Sequence, residues 1–282
     1  MVRARGGRGA RVQAPQVHVA RDRISMSKKY KGKTCTYCTV PKSSTTGDHV
    51  VAREFFPLDK RANLPKVPAC GRCNVAKSKL EHYLTAVMPF GSNTPDGRRV
   101  MMELVADRLR NNLALTRHLV EGARIKPISP DGGRSWQEQH TLPFDSSKLV
   151  QLLRLIGKGM AFTHWGVLLP DRDVVLYGDF LVSAGATGME MLLASKRANS
   201  TGKIVLGDGV FTYEGIQDPD WPTFTVWRMA LYGGTYDGDQ NAPHEQVSSA
   251  YVMSAPRGLK AATDLIHSLR RPRNGEPPDR AA

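Results

Sequence analysis

The feature that most constrains this chain is a pair of Cys-x-x-Cys motifs. The first is Cys35/Cys38 and the second is Cys70/Cys73, and together they hold all four cysteines of the 282 residues. Two residues between the sulfurs allow one tight turn to present both thiolates to a single ion, and tetrahedral zinc takes such ligands. The sequence therefore predicts a structural Zn²⁺ site with four thiolate ligands, closed to substrate.

Two disulfides are the alternative use of these cysteines. The N-terminus is rich in arginine and has no apolar segment of the kind that a secretory signal carries. We therefore expect a reducing, cytoplasmic environment, in which disulfides are rare. No stretch of the sequence approaches the roughly 20 apolar residues that span a bilayer, so no membrane partner is expected.

The segment between the two motifs is too long for a plain zinc ribbon. Residues 39–69 separate the pairs, whereas a ribbon uses about 15–20 residues. The segment contains a β-branched run from Gly47 to Arg53, a polar loop, and a second short run over 65–69. After the last cysteine, apolar residues at helical spacing predict a helix to about Met88. The predicted order is strand, strand, helix.

Several motifs in this region occur together in a recognisable order. The sequence contains Cys-x-x-Cys, Asp-His-Val, Asn-Leu and Cys-x-x-Cys-Asn-x-x-Lys. Over about residues 33–90 it resembles the HNH endonucleases of the zinc-bearing ββα-metal type. The resemblance implies that His49 is the general base and that Asp48 and Asn74 bind a catalytic Mg²⁺ or Mn²⁺ ion. It also implies that Asn63 steadies the loop between the strands.

Lys77 falls at a position where HNH endonucleases often have a lysine near the site. The alternative interpretation of Lys77 is a solvated surface lysine. The alternative interpretation of Asn74 is a cap of the following helix. Asp48 and His49 are neighbours in a predicted strand, so their side chains face opposite ways unless the strand is bulged, twisted or ends there. Gly47 would permit such a distortion.

The residue types suit the hydrolysis of a phosphodiester bond. The reaction needs a base that takes a proton from water near neutral pH, and imidazole has an ordinary pKa of about 6.5. It also needs positive charge against the phosphate. A hard cation on a carboxylate and an amide oxygen supplies that charge, and Mg²⁺ accepts such sparse protein ligation because it keeps several waters.

The charge of the chain favours a nucleic-acid partner. The formal net charge is +14 and the isoelectric point is about 9.8, which favours binding to polyanions. Residues 1–33 carry ten lysines and arginines against one aspartate. We expect residues 1–32 to be a basic, disordered leader, with Met26 as an alternative start of the natural chain. DNA is the expected partner, and RNA is the alternative.

The rest of the chain predicts an α+β fold, in which the small zinc-stapled ββα-metal (HNH) module precedes a long helix and a C-terminal α+β domain. One long helix is predicted from Asp96 to about Glu121. The predicted divisions are a module at 33–92, a helical connector at 93–126, a linker at 127–145, an α+β domain of unknown task at 146–270 and a disordered tail at 271–282.

The sequence thus predicts a metal-dependent endonuclease that cuts DNA. Two alternatives remain open at this point: a zinc-containing protein that binds nucleic acid without cutting it, and an HNH-type ribonuclease with the same catalytic residues. The oligomeric state is not predicted, although a dimer is one option.

Overall fold

The structure is a computed structural model that describes residues 28–92, 94–128, 135–181, 183–233 and 249–269. Residues 1–27 of the leader, with Met26, lie outside the described residues, as do 271–282 of the tail and 129–134 of the expected linker. Among the helices that are described, none combines the length and hydrophobicity needed to cross a bilayer.

The N-terminal part is a β-hairpin followed by a helix. Strand β1 (Thr46–His49) pairs antiparallel with β2 (Lys66–Ala69), and helix α1 (Gly71–Val87) follows. The strand, strand, helix order agrees with the prediction, although β1 ends at His49 and does not continue to Arg53. Two short 3₁₀ turns, at Arg53–Phe55 and Leu58–Lys60, occupy the loop between the strands.

The helical connector is broken into pieces, whereas the sequence predicts one continuous helix. Its helices are α2 (Pro95–Val100), a π-helical turn (Met101–Val105), α3 (Ala106–Arg110) and α4 (Leu113–Gly122). The break before α4 has a local cause. The side chain of Asn112 accepts a hydrogen bond from the backbone of Leu115 and starts a new helix there.

A second β-hairpin occupies part of the expected linker. Strand β3 (Arg124–Ile128) pairs antiparallel with β4 (Gln137–Thr141). Helix α5 (Ser146–Trp165) follows, and the carboxylate of Asp145 caps its start by accepting from two backbone N–H groups. The helix ends at Gly166, whose φ of 67° is a left-handed conformation that favours glycine.

Among the described residues, the C-terminal part contains a six-stranded antiparallel sheet. Its strands are β5 (Val174–Phe180), β6 (Asn199–Ser200), β7 (Ile204–Leu206), β8 (Phe211–Gln217), β9 (Thr225–Leu231) and β10 (Ala250–Pro256). The order across the sheet is β5-β10-β9-β8-β6, and β7 also pairs with β8. Two further helices are α6 (Ser183–Leu193) and α7 (Lys260–Leu269). Helix and antiparallel sheet in one chain bear out the predicted α+β class.

The sheet is covered on both faces, because alternate residues of its strands point to opposite sides. On one face, Leu176, Trp227 and Val252 belong to a core that also contains α5 and the N-terminal hairpin. On the other face, Val175 and Met253 belong to a second core with α6 and α7. The N-terminal part and the sheet therefore share one hydrophobic core.

Helix α5 lies between the hairpin and the sheet, and glycine allows close approach on each side. A Cβ atom at Gly157 would lie 2.5 Å from the side chain of Val252 in β10. A Cβ atom at Gly159 would lie 2.8 Å from the side chain of Val50, which follows β1. Both distances are shorter than real Cβ contacts, so a side chain at either position would force its valine neighbour to shift.

Candidate metal centre and the Asp48 site

The four thiols meet where the first Cys-x-x-Cys turn approaches the start of α1. Their Sγ atoms all lie within 4.8 Å of one another, and those of Cys38 and Cys70 are 3.8 Å apart. A tetrahedral ion with Zn–S bonds of about 2.3 Å requires sulfur separations of about 3.8 Å. All four thiols are free, so the two-disulfide alternative is not formed. The cluster could hold a zinc ion.

Backbone N–H groups point at these sulfurs. The N–H of Cys70 donates to Sγ of Cys35 at 3.3 Å, and that of Cys73 donates to Sγ of Cys70 at 3.4 Å. Burial raises the pKa of Cys35 and of Cys73, whereas at Cys38 hydrogen bonds from the Val40 backbone and from the neighbouring thiols outweigh burial and lower the pKa to about 7. The thiolate is the form that binds metal.

Asp48 takes part in a buried ion network between β1 and α1. Its Oδ2 accepts a hydrogen bond from the hydroxyl of Tyr37 at 2.5 Å and pairs with Nζ of Lys77 at 3.0 Å. Nζ of Lys77 also donates to the backbone carbonyl of His49 at 2.7 Å and pairs with the carboxylate of Glu81. Lys77 is fully buried, so the interpretation as a solvated lysine is wrong. Three oxygen partners compensate the desolvated ammonium.

The two other members of this network have shifted pKa values. Burial raises the pKa of Glu81 to about 7, although the ammonium of Lys77 acts in the opposite direction. Burial, and then the negative charge of Asp48, raises the pKa of Tyr37 well above its ordinary value. The phenol of Tyr37 therefore stays protonated and remains a hydrogen-bond donor.

His49 is the last residue of β1, and its side chain has a different set of neighbours. Residues 46–49 pair with successive residues of β2, so β1 has no bulge and the side chains of Asp48 and His49 leave the strand on opposite faces. Burial, and then the ammonium of Lys66 across the hairpin, lowers the pKa of His49 to about 4. Arg53 lowers it further, whereas Asp48 and Glu54 raise it. The imidazole is therefore neutral near pH 7.

Gly47 allows the ring of Tyr30 to pack closely against β1, and no bulge occurs at this glycine. A Cβ atom there would lie 2.4 Å from the ring of Tyr30, which covers this part of β1. The register with β2 is unbroken, so β1 has no bulge, and the strand ends at His49.

The two asparagines occupy different environments. Asn74 is half-buried in α1, three residues before Lys77, so the two side chains share one face of the helix. The N-cap of α1 is Cys70, so Asn74 does not cap the helix. Asn63 is exposed in the turn before β2, with φ of 56°, a left-handed conformation that asparagine tolerates better than most residues.

The structure adds residues that the sequence did not single out. Tyr37 and Glu81 contact Asp48 and Lys77 directly, and Lys158 of α5 reaches the first Cys-x-x-Cys turn from 121 residues away. Glu81 could have been found, because it stands four residues after Lys77 on a predicted helix. No sequence signal points to the contact between Lys158 and Tyr37, since Lys158 donates there to a backbone carbonyl.

Comparison with known proteins gives no assignment. No family model matches this chain, and the searches of curated proteins and of solved structures found no match either. What the chain does must therefore be argued from its own residues.

Proposed function

We propose that the protein is a metal-dependent endonuclease of the HNH type that hydrolyses DNA phosphodiester bonds. The observation that carries the proposal is the hairpin and helix joined by the four-cysteine cluster. This unit holds the carboxylate of Asp48 against the helix face that bears Asn74, and it ends β1 at His49. In this proposal Zn²⁺ occupies the thiolate cluster and has a structural role.

His49 would act as the general base. Its lowered pKa keeps the imidazole neutral at physiological pH, which is the state that can accept a proton, and it also makes His49 a weaker base than an ordinary histidine. Its backbone carbonyl is held by the buried ammonium of Lys77, so the end of β1 is fixed. Asn63, in the loop between the strands, would support the position of β1 and β2.

Asp48 and Asn74 would hold the catalytic cation. Both contacts of the Asp48 carboxylate fall on Oδ2, so Oδ1 is the oxygen that a cation would take. Within the described ranges, the cysteines form the one cluster of three or more metal-binding side chains. A second cation would therefore depend on one carboxylate, one amide oxygen, water and phosphate, which suits Mg²⁺ or Mn²⁺. When bound, such an ion supplies positive charge to the phosphate.

The charge of the whole chain supports a polyanionic substrate. A net charge of +14 favours association with nucleic acid, and this attraction is weakened by salt. The four free thiols support a reducing compartment such as the cytoplasm.

One specific observation favours the rival function, a zinc-containing protein that binds nucleic acid without cutting it. The ammonium of Lys77 already neutralises Asp48, and the side chains of Asp48 and His49 lie on opposite faces of an unbulged strand. A module with these features could keep its zinc and its basic surface without a second cation.

Plasmid cleavage separates the two functions. The zinc-loaded protein should convert supercoiled plasmid to open-circular or linear DNA when Mg²⁺ or Mn²⁺ is added. His49→Ala should abolish conversion and retain DNA binding. His82→Ala is the matched control, because His82 is an exposed histidine of α1. If wild type and His49→Ala behave alike, the binding function is correct. Cleavage of RNA but not of duplex DNA would identify a ribonuclease.

A further inference from the structure

We propose that Tyr37 positions the carboxylate of Asp48 for cation binding, and that Lys158 of the C-terminal part holds Tyr37 in place. This inference rests on the proposed function, because it takes Asp48 to be a cation ligand. It gives the C-terminal α+β part a role in the site, as the support of the first Cys-x-x-Cys turn.

Tyr37 is built into the metal centre and faces Asp48. It stands between Cys35 and Cys38, its side chain is 2% exposed, and its hydroxyl donates to Oδ2 of Asp48 at 2.5 Å. Its ring lies 5.8 Å from Nζ of Lys77, which pairs with the same oxygen. The hydrogen bond from Tyr37 and the ion pair with Lys77 both fall on Oδ2, restrain the carboxylate and leave Oδ1 for a cation. Outer partners of this kind orient metal ligands.

Lys158 anchors the backbone of Tyr37. It lies in α5 and is 3% exposed, and its Nζ donates to the backbone carbonyl of Tyr37 at 2.9 Å. Its carboxylate partner is Asp171, at 2.7 Å, whose side chain is 76% exposed. A partner so exposed to water compensates little of the cost of burying an ammonium. An apolar side chain would fill this position without the free-energy cost of burying a charge. The hydrogen bond to the carbonyl of Tyr37 is therefore the contribution that a lysine makes at this position.

The contacts form a continuous path from the C-terminal part to the site. Lys158 fixes the carbonyl of Tyr37, the phenol of Tyr37 fixes Asp48, and Gly159 brings α5 against Val50 just after β1. Movement of α5 would therefore alter the position of the Asp48 carboxylate without altering any residue that touches the cation.

The test measures cation affinity separately from cleavage, on the zinc-loaded full chain. Mn²⁺ binding is followed by calorimetry, with Asp48→Asn to locate the site, and the Mg²⁺ midpoint of plasmid cleavage is followed in parallel. Tyr37→Phe removes only the hydroxyl. It should weaken Mn²⁺ binding about tenfold and raise the Mg²⁺ midpoint to the same extent. The rate at saturating Mg²⁺ and the zinc content should stay near those of the wild type.

Lys158→Met should shift the Mn²⁺ affinity in the same direction, and adding it to Tyr37→Phe should give no further shift, because both act through one phenol. Tyr213→Phe is the matched control. Tyr213 is 5% exposed and its hydroxyl bonds to His164, away from the site, so its removal should not move the Mn²⁺ affinity.

Each result decides something. Unchanged Mn²⁺ affinity in Tyr37→Phe overturns the positioning role, and so does loss of zinc or of folding in that variant. If the wild type binds Mn²⁺ through Asp48 but does not cleave nucleic acid, the nuclease proposal fails while the positioning role stands. If the wild type neither binds Mn²⁺ nor cleaves nucleic acid, both fail.

Discussion

Replacement of Lys77 by methionine should destabilise the protein strongly. Methionine keeps much of the volume and removes the charge. Lys77 is 0% exposed, whereas its partners Asp48 and Glu81 are 11% and 15% exposed. Removing one member of a buried ion pair costs about 3–5 kcal/mol, because the remaining charge is left unpaired. Since both carboxylates have some access to water, we expect a loss near the lower limit, about 3 kcal/mol.

The assay is unfolding by urea at pH 8 with zinc present. Lys79→Met, an exposed change on the same helix, should stay within about 0.5 kcal/mol of the wild type. Adding Glu81→Gln to Lys77→Met should restore part of the loss, because it removes one of the two facing carboxylates. Equal urea midpoints for the two methionine variants would refute the reasoning.

The loss of stability in Lys77→Met should also depend on pH in a defined direction. The folded-state pKa of Glu81 is raised from 4.5 to about 7, so the folded protein binds this proton more tightly than the unfolded chain. The contribution of Glu81 to stability is therefore favourable at low pH and is lost as the pH rises through about 7. Lys77 lowers this pKa, so its removal should extend the protonated range upward, and the deficit of Lys77→Met should shrink between pH 8 and pH 6.

Three further predictions concern the metal centre, the histidine and the core. A mercurial reagent should release one zinc ion per chain, detected with a chromogenic chelator, and Cys38→Ser should contain almost none. NMR titration should give His49 a pKa of about 4, with stability lost as the pH falls from 6.5 toward that value, and Lys66→Met should raise this pKa. Gly159→Ala should lower the unfolding free energy by about 1–3 kcal/mol through overpacking, whereas Gly188→Ala, with open space around it, should be neutral or stabilising by up to about 1 kcal/mol.

The four-cysteine cluster was predictable because its signal is local. Each pair of cysteines lies within one turn, and the chain has no other cysteine to compete for partners. The hairpin and α1 were predictable for a similar reason, since β-branched runs and helical spacing follow one another directly. The ion network around Asp48 was only partly predictable, because it joins Tyr37 of the first Cys-x-x-Cys turn, Asp48 of β1 and Lys77 of α1, which are distant in the sequence.

The helical connector and the C-terminal part were harder to predict, for physical reasons. Strand β10 lies between β5 and β9 and is buried on both faces, so its apolar run shows no alternation. The break before α4 depends on one asparagine side chain, which a pattern of apolar residues does not register. The bond from Lys158 to Tyr37 joins residues 121 positions apart through a backbone atom, so residue type carries no information about it.

The two glycines of α5 have a consequence for how this protein can vary among relatives. A larger residue at 159 would require a smaller one at 50, and the same trade applies between 157 and 252. Sequence changes in the two halves should therefore appear as linked pairs in homologues. If recombination joined this hairpin to an unrelated C-terminal part, Val50 would no longer face the glycine that makes room for it. The hairpin would pack well only if α5 were transferred with it.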